Sequence, residues 1–184
     1  MRYEIIMSGF GGQGVMVMGQ LLTYAGMMEN RNVSWMPSYG PEMRGGTANC
    51  GVIISDDEVG APIVSEPSAA IIMNVPSLEK FEPVLTENGA MVINSSLVDK
   101  TVQRNDIQAY YVPINEIANE LGSIKMINMV ALGAFSAATG IVKNESIINA
   151  FAKKFASKPK LLAANEEAFG RGYDFVAKIK ATRK

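Results

Sequence analysis

Residues 3–7, Tyr-Glu-Ile-Ile-Met, make a short apolar run centred on Ile5 and Ile6, the pattern of a buried strand. Ser8-Gly9-Phe10-Gly11-Gly12-Gln13-Gly14 then breaks the chain, and from Val15 the period changes. Val15, Met18, Leu22 and Ala25 recur at spacings of three and four, which places them on one face of a helix. This spacing predicts a helix ending near Asn30 and a second strand over 32–36. The next ten residues, Pro37-Ser38-Tyr39-Gly40-Pro41-Glu42-Met43-Arg44-Gly45-Gly46, hold two prolines and three glycines, so they continue neither a helix nor a central strand. An ordered loop is expected there. Further apolar runs predict strands over 47–55, 69–73, 90–93 and 108–112, with the polar turn Asp56-Asp57-Glu58 after the first. A short helix is expected over 76–85, with Pro76 in its first turn and Pro83 cutting into it. From Asn115 the pattern is helical, over 115–121, 126–139, 144–156 and 160–181, with Asn144 and Pro159 as start signals for the last two.

Strands alternating with helices predict an α/β fold: three layers, α/β/α, around a largely parallel sheet, closed by a helical C-terminal region. The segment 47–66 is too short for a crossover helix, which leaves room for a hairpin or an antiparallel edge. The 184 residues fit a single domain over 1–184, without repeat, low-complexity tract or interdomain linker. A chain of this length buries about 70% of its unfolded surface, so a core needs neither disulfides nor metals.

Composition narrows the chemistry. There is no histidine and a single cysteine, Cys50. A Ser-His-Asp or Cys-His nucleophile and a His-ligated zinc or haem site are therefore excluded. So are an internal disulfide, a CxxC redox pair and a cluster held by this chain's own thiolates. The residue types point away from a self-contained enzyme. The formal charge of −1 carries no nucleic-acid signal, but it is unevenly spread: residues 143–184 sum to +6 and residues 1–142 to −7. The basic end suits a solvated helical face, an acidic partner or a phosphate-bearing ligand. No apolar run reaches the roughly 20 residues of a membrane span. The apolar stretch at the N-terminus is too short for a signal peptide, and a cytoplasmic protein is expected.

Gly9-x-Gly11-x-x-Gly14 lies between a predicted strand and helix, the context of a dinucleotide fingerprint. Glycines allow positive φ and close backbone approach, and a helix N-terminus offers free N–H groups to an anion. A nicotinamide site would also want a carboxylate at the end of the second strand, where Trp35-Met36-Pro37-Ser38 stands instead. Tight helix–strand packing without a ligand is the plainer alternative. In a parallel sheet the loops after the first two strands share an edge, which brings Ser38, Tyr39, Glu42 and Arg44 towards the glycine loop. Asn74 and Asn94-Ser95-Ser96 add amide and hydroxyl groups at two further strand ends, as ligand contacts or as caps and turns.

Gly9-Phe10-Gly11-Gly12-Gln13-Gly14-Val15 followed by Pro37-Ser38-Tyr39-Gly40-Pro41-Glu42-Met43-Arg44-Gly45-Gly46 resembles the gamma subunit of the 2-oxoacid:ferredoxin oxidoreductases. Val52-Ile53-Ile54-Ser55, Pro62-Ile63-Val64 before Glu66-Pro67, and Met73-Asn74 extend the likeness over most of the chain. The form Tyr-Gly-Pro-Glu-Met-Arg-Gly-Gly is more similar to the 2-oxoglutarate and branched-chain versions than to the pyruvate version. The resemblance implies a part of an enzyme that converts a 2-oxoacid and coenzyme A to an acyl-CoA, carbon dioxide and reduced ferredoxin. It implies thiamine diphosphate, magnesium and iron–sulfur clusters held by alpha and beta partners, with a ferredoxin-like delta subunit as a further candidate. None of these cofactors is expected on this chain alone. It assigns no catalytic residue here and a scaffold role. The helix N-terminus and the two loops, read beside it, make coenzyme A the expected ligand, with candidate contacts at Gly11, Gly12, Gln13, Gly14, Ser38, Tyr39, Gly40, Glu42, Arg44, Gly45, Gly46 and Asn74.

A free-standing nucleotide- or coenzyme A-binding module stays open beside that reading. Met16, Met18, Met27 and Met28 suit core filling or an adaptable partner surface. Trp35 suits core or interface, and Cys50 a small buried hydrophobe.

Overall fold

The computed structural model describes residues 1–38 and 47–183, and of Thr47 the backbone. The strands are β1 (Arg2–Phe10), β2 (Asn32–Ser38), β3 (Thr47–Ser55), β4 (Ala69–Ile72), β5 (Ala90–Asn94) and β6 (Gln108–Val112). The helices are α1 (Val15–Met28), α2 (Val75–Phe81), α3 (Ile114–Glu120), α4 (Ile127–Thr139), α5 (Asn144–Lys154) and α6 (Pro159–Thr182). Each expected element is present within a few residues. The main difference is α2, which stops at Phe81, just short of Pro83, whose ring cannot continue the hydrogen-bond ladder.

One six-stranded sheet runs in the order β2-β3-β1-β4-β5-β6. Pairs β1–β4, β4–β5 and β5–β6 are parallel, whereas β3 is antiparallel to both β1 and β2. The antiparallel strand thus lies one place in from the edge. Because it reverses twice, β1 and β2 still point the same way, and their C-terminal ends share one sheet edge with the start of β3.

The layers are unequal. Helices α1, α3, α4, α5 and α6 cover one face, packing Leu21, Leu22, Leu132 and Phe135 on Ile5, Met7, Val52, Ile71 and Val92. The other face is covered by α2, whose Leu78 and Phe81 meet Ile6, Ile72, Met91 and Ile93. Buried on both faces, β4 reads Ala-Ala-Ile-Ile without alternation, as a central parallel strand should.

Two contacts fix the helical layer. A Cβ on Gly133 of α4 would strike the Phe169 carbonyl of α6, and one on Gly172 of α6 would strike the Val130 carbonyl of α4, so the helices meet backbone to backbone. Glu29, past the end of α1, accepts from the Lys143 N–H (2.6 Å) and Ser146 Oγ (2.8 Å), which caps α5.

Candidate functional site

The glycine loop forms where β1 gives way to α1. Gly12 (φ 89°) and Gly14 (φ 75°) are left-handed, a conformation that a Cβ penalises, and Gly14 caps α1 by accepting from the Met18 N–H at 3.1 Å. The two glycines differ in their surroundings. Among the described residues a Cβ on Gly12 would meet nothing within 4 Å, whereas one on Gly14 would lie 2.5 Å from the Asn128 amide at the start of α4. Gln13 turns inward: it is 9% exposed, and its Oε1 accepts from the Phe10 N–H at 2.6 Å, which closes the loop on itself. Phe10, Gly11, Gly12, Gly14, Met16 and Ala48 border a hollow of about 240 Å³ against this loop.

A row of neutral polar side chains crosses the same edge on the opposite face. Register pairs Ser8 of β1 with Asn49 of β3, and Asn49 with Ser38 of β2. Ser8 Oγ lies 2.8 Å from Ser77 Oγ on α2, and Asn74 Oδ1 accepts from both the Ser77 N–H and its hydroxyl. Asn74 is therefore the cap of α2, 1% exposed, and its Nδ2 is buried with no partner among the described residues. At the outer end of the row, Ser38, Met36, Asn49, Gly51 and Ile63 border a second hollow of about 190 Å³.

Asn94 plays a different part. Its Nδ2 donates to Asn115 Oδ1 (2.9 Å) and its Oδ1 accepts from the Ser96 N–H (3.2 Å), so it ties the turn after β5 to the start of α3. The structure brings Gly11, Gly12, Gln13, Gly14, Ser38 and Asn74 to one edge. Tyr39, Gly40, Glu42, Arg44, Gly45 and Gly46 lie outside the described residues, between Ser38 and Thr47. Ser8, Asn49, Ser77 and Asn128 join the site from positions that carry no motif. Only strand register and helix docking reveal them.

The strand order bears on the nicotinamide reading. A dinucleotide fold places the second strand directly beside the first, and here β3 stands between β1 and β2, about 10 Å apart at ordinary strand spacing. Backbone N–H groups, amides and hydroxyls can orient an anion at this edge. Among the described residues the groups with displaced pKa values lie elsewhere. Burial pushes the Cys50 thiol up to about 12, with the Trp35 indole and the Gly19 backbone opposing the shift. The hydrogen bond from the N-terminal ammonium holds Asp56 below its ordinary value, with Arg31 adding to it. Among the described residues, no group of three or more His, Cys, Asp or Glu is placed to hold a metal ion.

Residues 4–175 match the family model described as pyruvate ferredoxin/flavodoxin oxidoreductase. The chain belongs to that family. A ketoisovalerate oxidoreductase subunit VorA from Methanothermobacter marburgensis is 38% identical over 177 residues, covering 95% of this chain and 37% of the relative. The 2-oxoglutarate synthase subunit KorC from Methanocaldococcus jannaschii is 36% identical over 184 residues, covering 97% of this chain and 96% of the relative. This chain thus spans about a third of the VorA relative and nearly all of the KorC relative. The crystal structure of a keto/oxoacid ferredoxin oxidoreductase gamma subunit from Geobacter sulfurreducens superposes with a TM-score of 0.83 at 30% identity, covering 96% of this chain and 99% of that one. The chain is thus of the gamma-subunit type within the pyruvate ferredoxin/flavodoxin oxidoreductase family, with the α/β fold expected from its sequence. No helix among the described residues is long and apolar enough to cross a membrane.

Proposed function

We propose that this chain is the gamma subunit of a cytoplasmic 2-oxoglutarate:ferredoxin oxidoreductase, which forms an acyl-CoA, carbon dioxide and reduced ferredoxin from the 2-oxoacid and coenzyme A. The observation that carries this reading is the end-to-end alignment with the KorC relative, 36% identical over 184 residues with 96% of that protein covered. The VorA relative, at 38% identity, makes 2-oxoisovalerate the second substrate reading.

The donor set supports a division of labour between chains. With no histidine and one buried cysteine, this chain does not fit an iron–sulfur cluster or a His-ligated metal, and we assign it no catalytic step. Thiamine diphosphate, magnesium and the clusters belong, in this reading, to alpha, beta and ferredoxin-like delta partners. The glycine loop does fit a coenzyme A phosphate. The space over Gly12, open among the described residues, is room that a Cβ would fill, and it adjoins the N-terminus of α1, where free N–H groups favour an anion. Arg44, by residue type, suits the same phosphates.

Purification of the tagged chain from its native host, with its partner chains, tests the assembly. Coenzyme A-dependent ferredoxin reduction is then measured with 2-oxoglutarate, 2-oxoisovalerate and pyruvate. Fastest turnover with 2-oxoglutarate is expected, and a preference for either other acid overturns that assignment. Recovery of the chain alone favours instead a free-standing coenzyme A- or nucleotide-binding module. Arg44→Ala and Gly12→Val in the assembled complex should raise the KM for coenzyme A and spare that for the 2-oxoacid. Unchanged values refute the contact.

A further inference from the structure

Helix α1 has no charged residue in its 14 positions, although one side of it faces solvent. Met18, Leu21, Leu22 and Ala25 point into the core. Met16, Gln20, Tyr24 and Met27, at helical spacing, form the outer stripe, with Tyr24 44%, Met27 53% and Met28 40% exposed. A solvated helix of a soluble protein carries charged residues on that side, whereas Met, Tyr and Trp are enriched where surfaces meet. The stripe borders a groove of about 400 Å³ closed by Trp35 of β2 and Lys154 of α5. Strand β2 is the sheet edge, so the groove opens outward beside it.

The rim of this groove is basic. Lys154 Nζ donates to Gln20 Oε1 at 3.1 Å, and Lys153 Nζ sits 5.7 Å from the centre of the Tyr24 ring. Lys158 and Lys160 continue the exposed run, and no acidic residue falls between 153 and 160. The carboxylate nearest in sequence to the helix, Glu29, is engaged in capping α5. An apolar stripe flanked by lysines complements a partner surface whose apolar side chains are flanked by carboxylates.

We propose that the outer face of α1, with Trp35 and the α5 lysines, docks a sister chain of the oxidoreductase complex through such an acidic-rimmed apolar surface. This rests on the function proposed above. Its test is co-purification of Met27→Glu and of Lys153→Glu/Lys154→Glu with the partner chains. Val84→Glu, an exposed site just past α2 on the opposite face of the sheet, serves as control. Thermal unfolding checks each fold, and sedimentation of the isolated chain reports self-association. Met27→Glu should stay folded and lose partner recovery by about tenfold or more, the effect of one central interface residue. The double lysine reversal should weaken recovery and reduce its salt dependence, and Val84→Glu should assemble normally. Normal assembly of Met27→Glu overturns the proposal while leaving the function intact. Equal loss with Val84→Glu overturns it too, because the effect is then not local. A wild-type dimer that Met27→Glu dissolves, in a chain that still joins the complex, gives the face to a second copy and overturns it. Wild-type chain recovered without partners overturns both readings. Should Met27→Glu unfold, the lysine reversal decides, since those side chains are exposed and outside the core.

Discussion

The packing of α4 on α6 offers a sharp test, because two glycines on it face opposite energetic consequences. Gly133 sits against the Phe169 carbonyl, while a Cβ on Gly170, one residue further along α6, would meet nothing within 4 Å among the described residues. Alanine favours helix over glycine by about 1 kcal/mol at either position. At Gly170 that gain stands alone, so Gly170→Ala should stabilise by up to about 1 kcal/mol. At Gly133 the new methyl overlaps backbone, which no rotamer change can relieve. The cost belongs at or above the upper end of the roughly 1–3 kcal/mol seen for overpacked cores. The net expectation for Gly133→Ala is a loss of about 2 kcal/mol, or about 4–8 °C in Tm for a chain of this size. Gly170→Ala should rise by about 2–4 °C on the same scale. Thermal unfolding followed by circular dichroism reads both. A Tm for Gly133→Ala equal to or above wild type would refute the reasoning, since the helices would then not be held backbone to backbone. The consequence reaches the site, because the first turn of α4 carries the Asn128 that packs over Gly14.

Other outcomes follow from single contacts. Gly14→Ala should cost about 1–2 kcal/mol from its left-handed backbone alone, plus the collision with Asn128. Adding Asn128→Ala should recover only the second part, measured by urea unfolding. Asn74→Ala removes the cap of α2 and should destabilise by about 1 kcal/mol or more, read as a lower urea midpoint. Cys50 should resist alkylation at pH 8 in the native protein and react at the rate of unfolding. Its raised pKa favours the protonated thiol in the fold, so its contribution is full below the unfolded pKa and is lost as pH rises towards about 12. For Asp56 the sign is opposite: the contribution is present above the unfolded carboxyl pKa and is lost as pH falls through the lower folded value. Acetylating the N-terminus should raise that pKa, which NMR titration can follow.

The glycine loop was legible in the sequence because its chemistry is local. Gly9 to Gly14 stand between a strand pattern and a helix pattern, and the positive φ of Gly12 and Gly14 belongs to that junction. Asn74 was visible as a polar residue ending a buried strand, but its two alternatives, ligand contact or cap, were not separable until its bonds to Ser77 were seen. Of the row Ser77–Ser8–Asn49–Ser38, only Ser38 was visible, as part of the proline- and glycine-rich segment after the second strand. The other three are separated by tens of residues, and each is unremarkable in its own segment. The same holds for α1: its periodicity marks the buried side, whereas the meaning of Tyr24 and Met27 depends on which neighbours leave them uncovered.

Hydrophobic periodicity and turn residues by themselves determined the elements, their order and the α/β class, since strand and helix periods are properties of a few adjacent residues. The missing histidines and the lone cysteine likewise set the limits on chemistry before any fold was known. Tertiary structure alone decided that β3 runs antiparallel between β1 and β2, that α4 and α6 meet at glycines, and that α1 keeps an uncharged side in solvent. Each of these depends on pairing between distant segments, which no local pattern encodes.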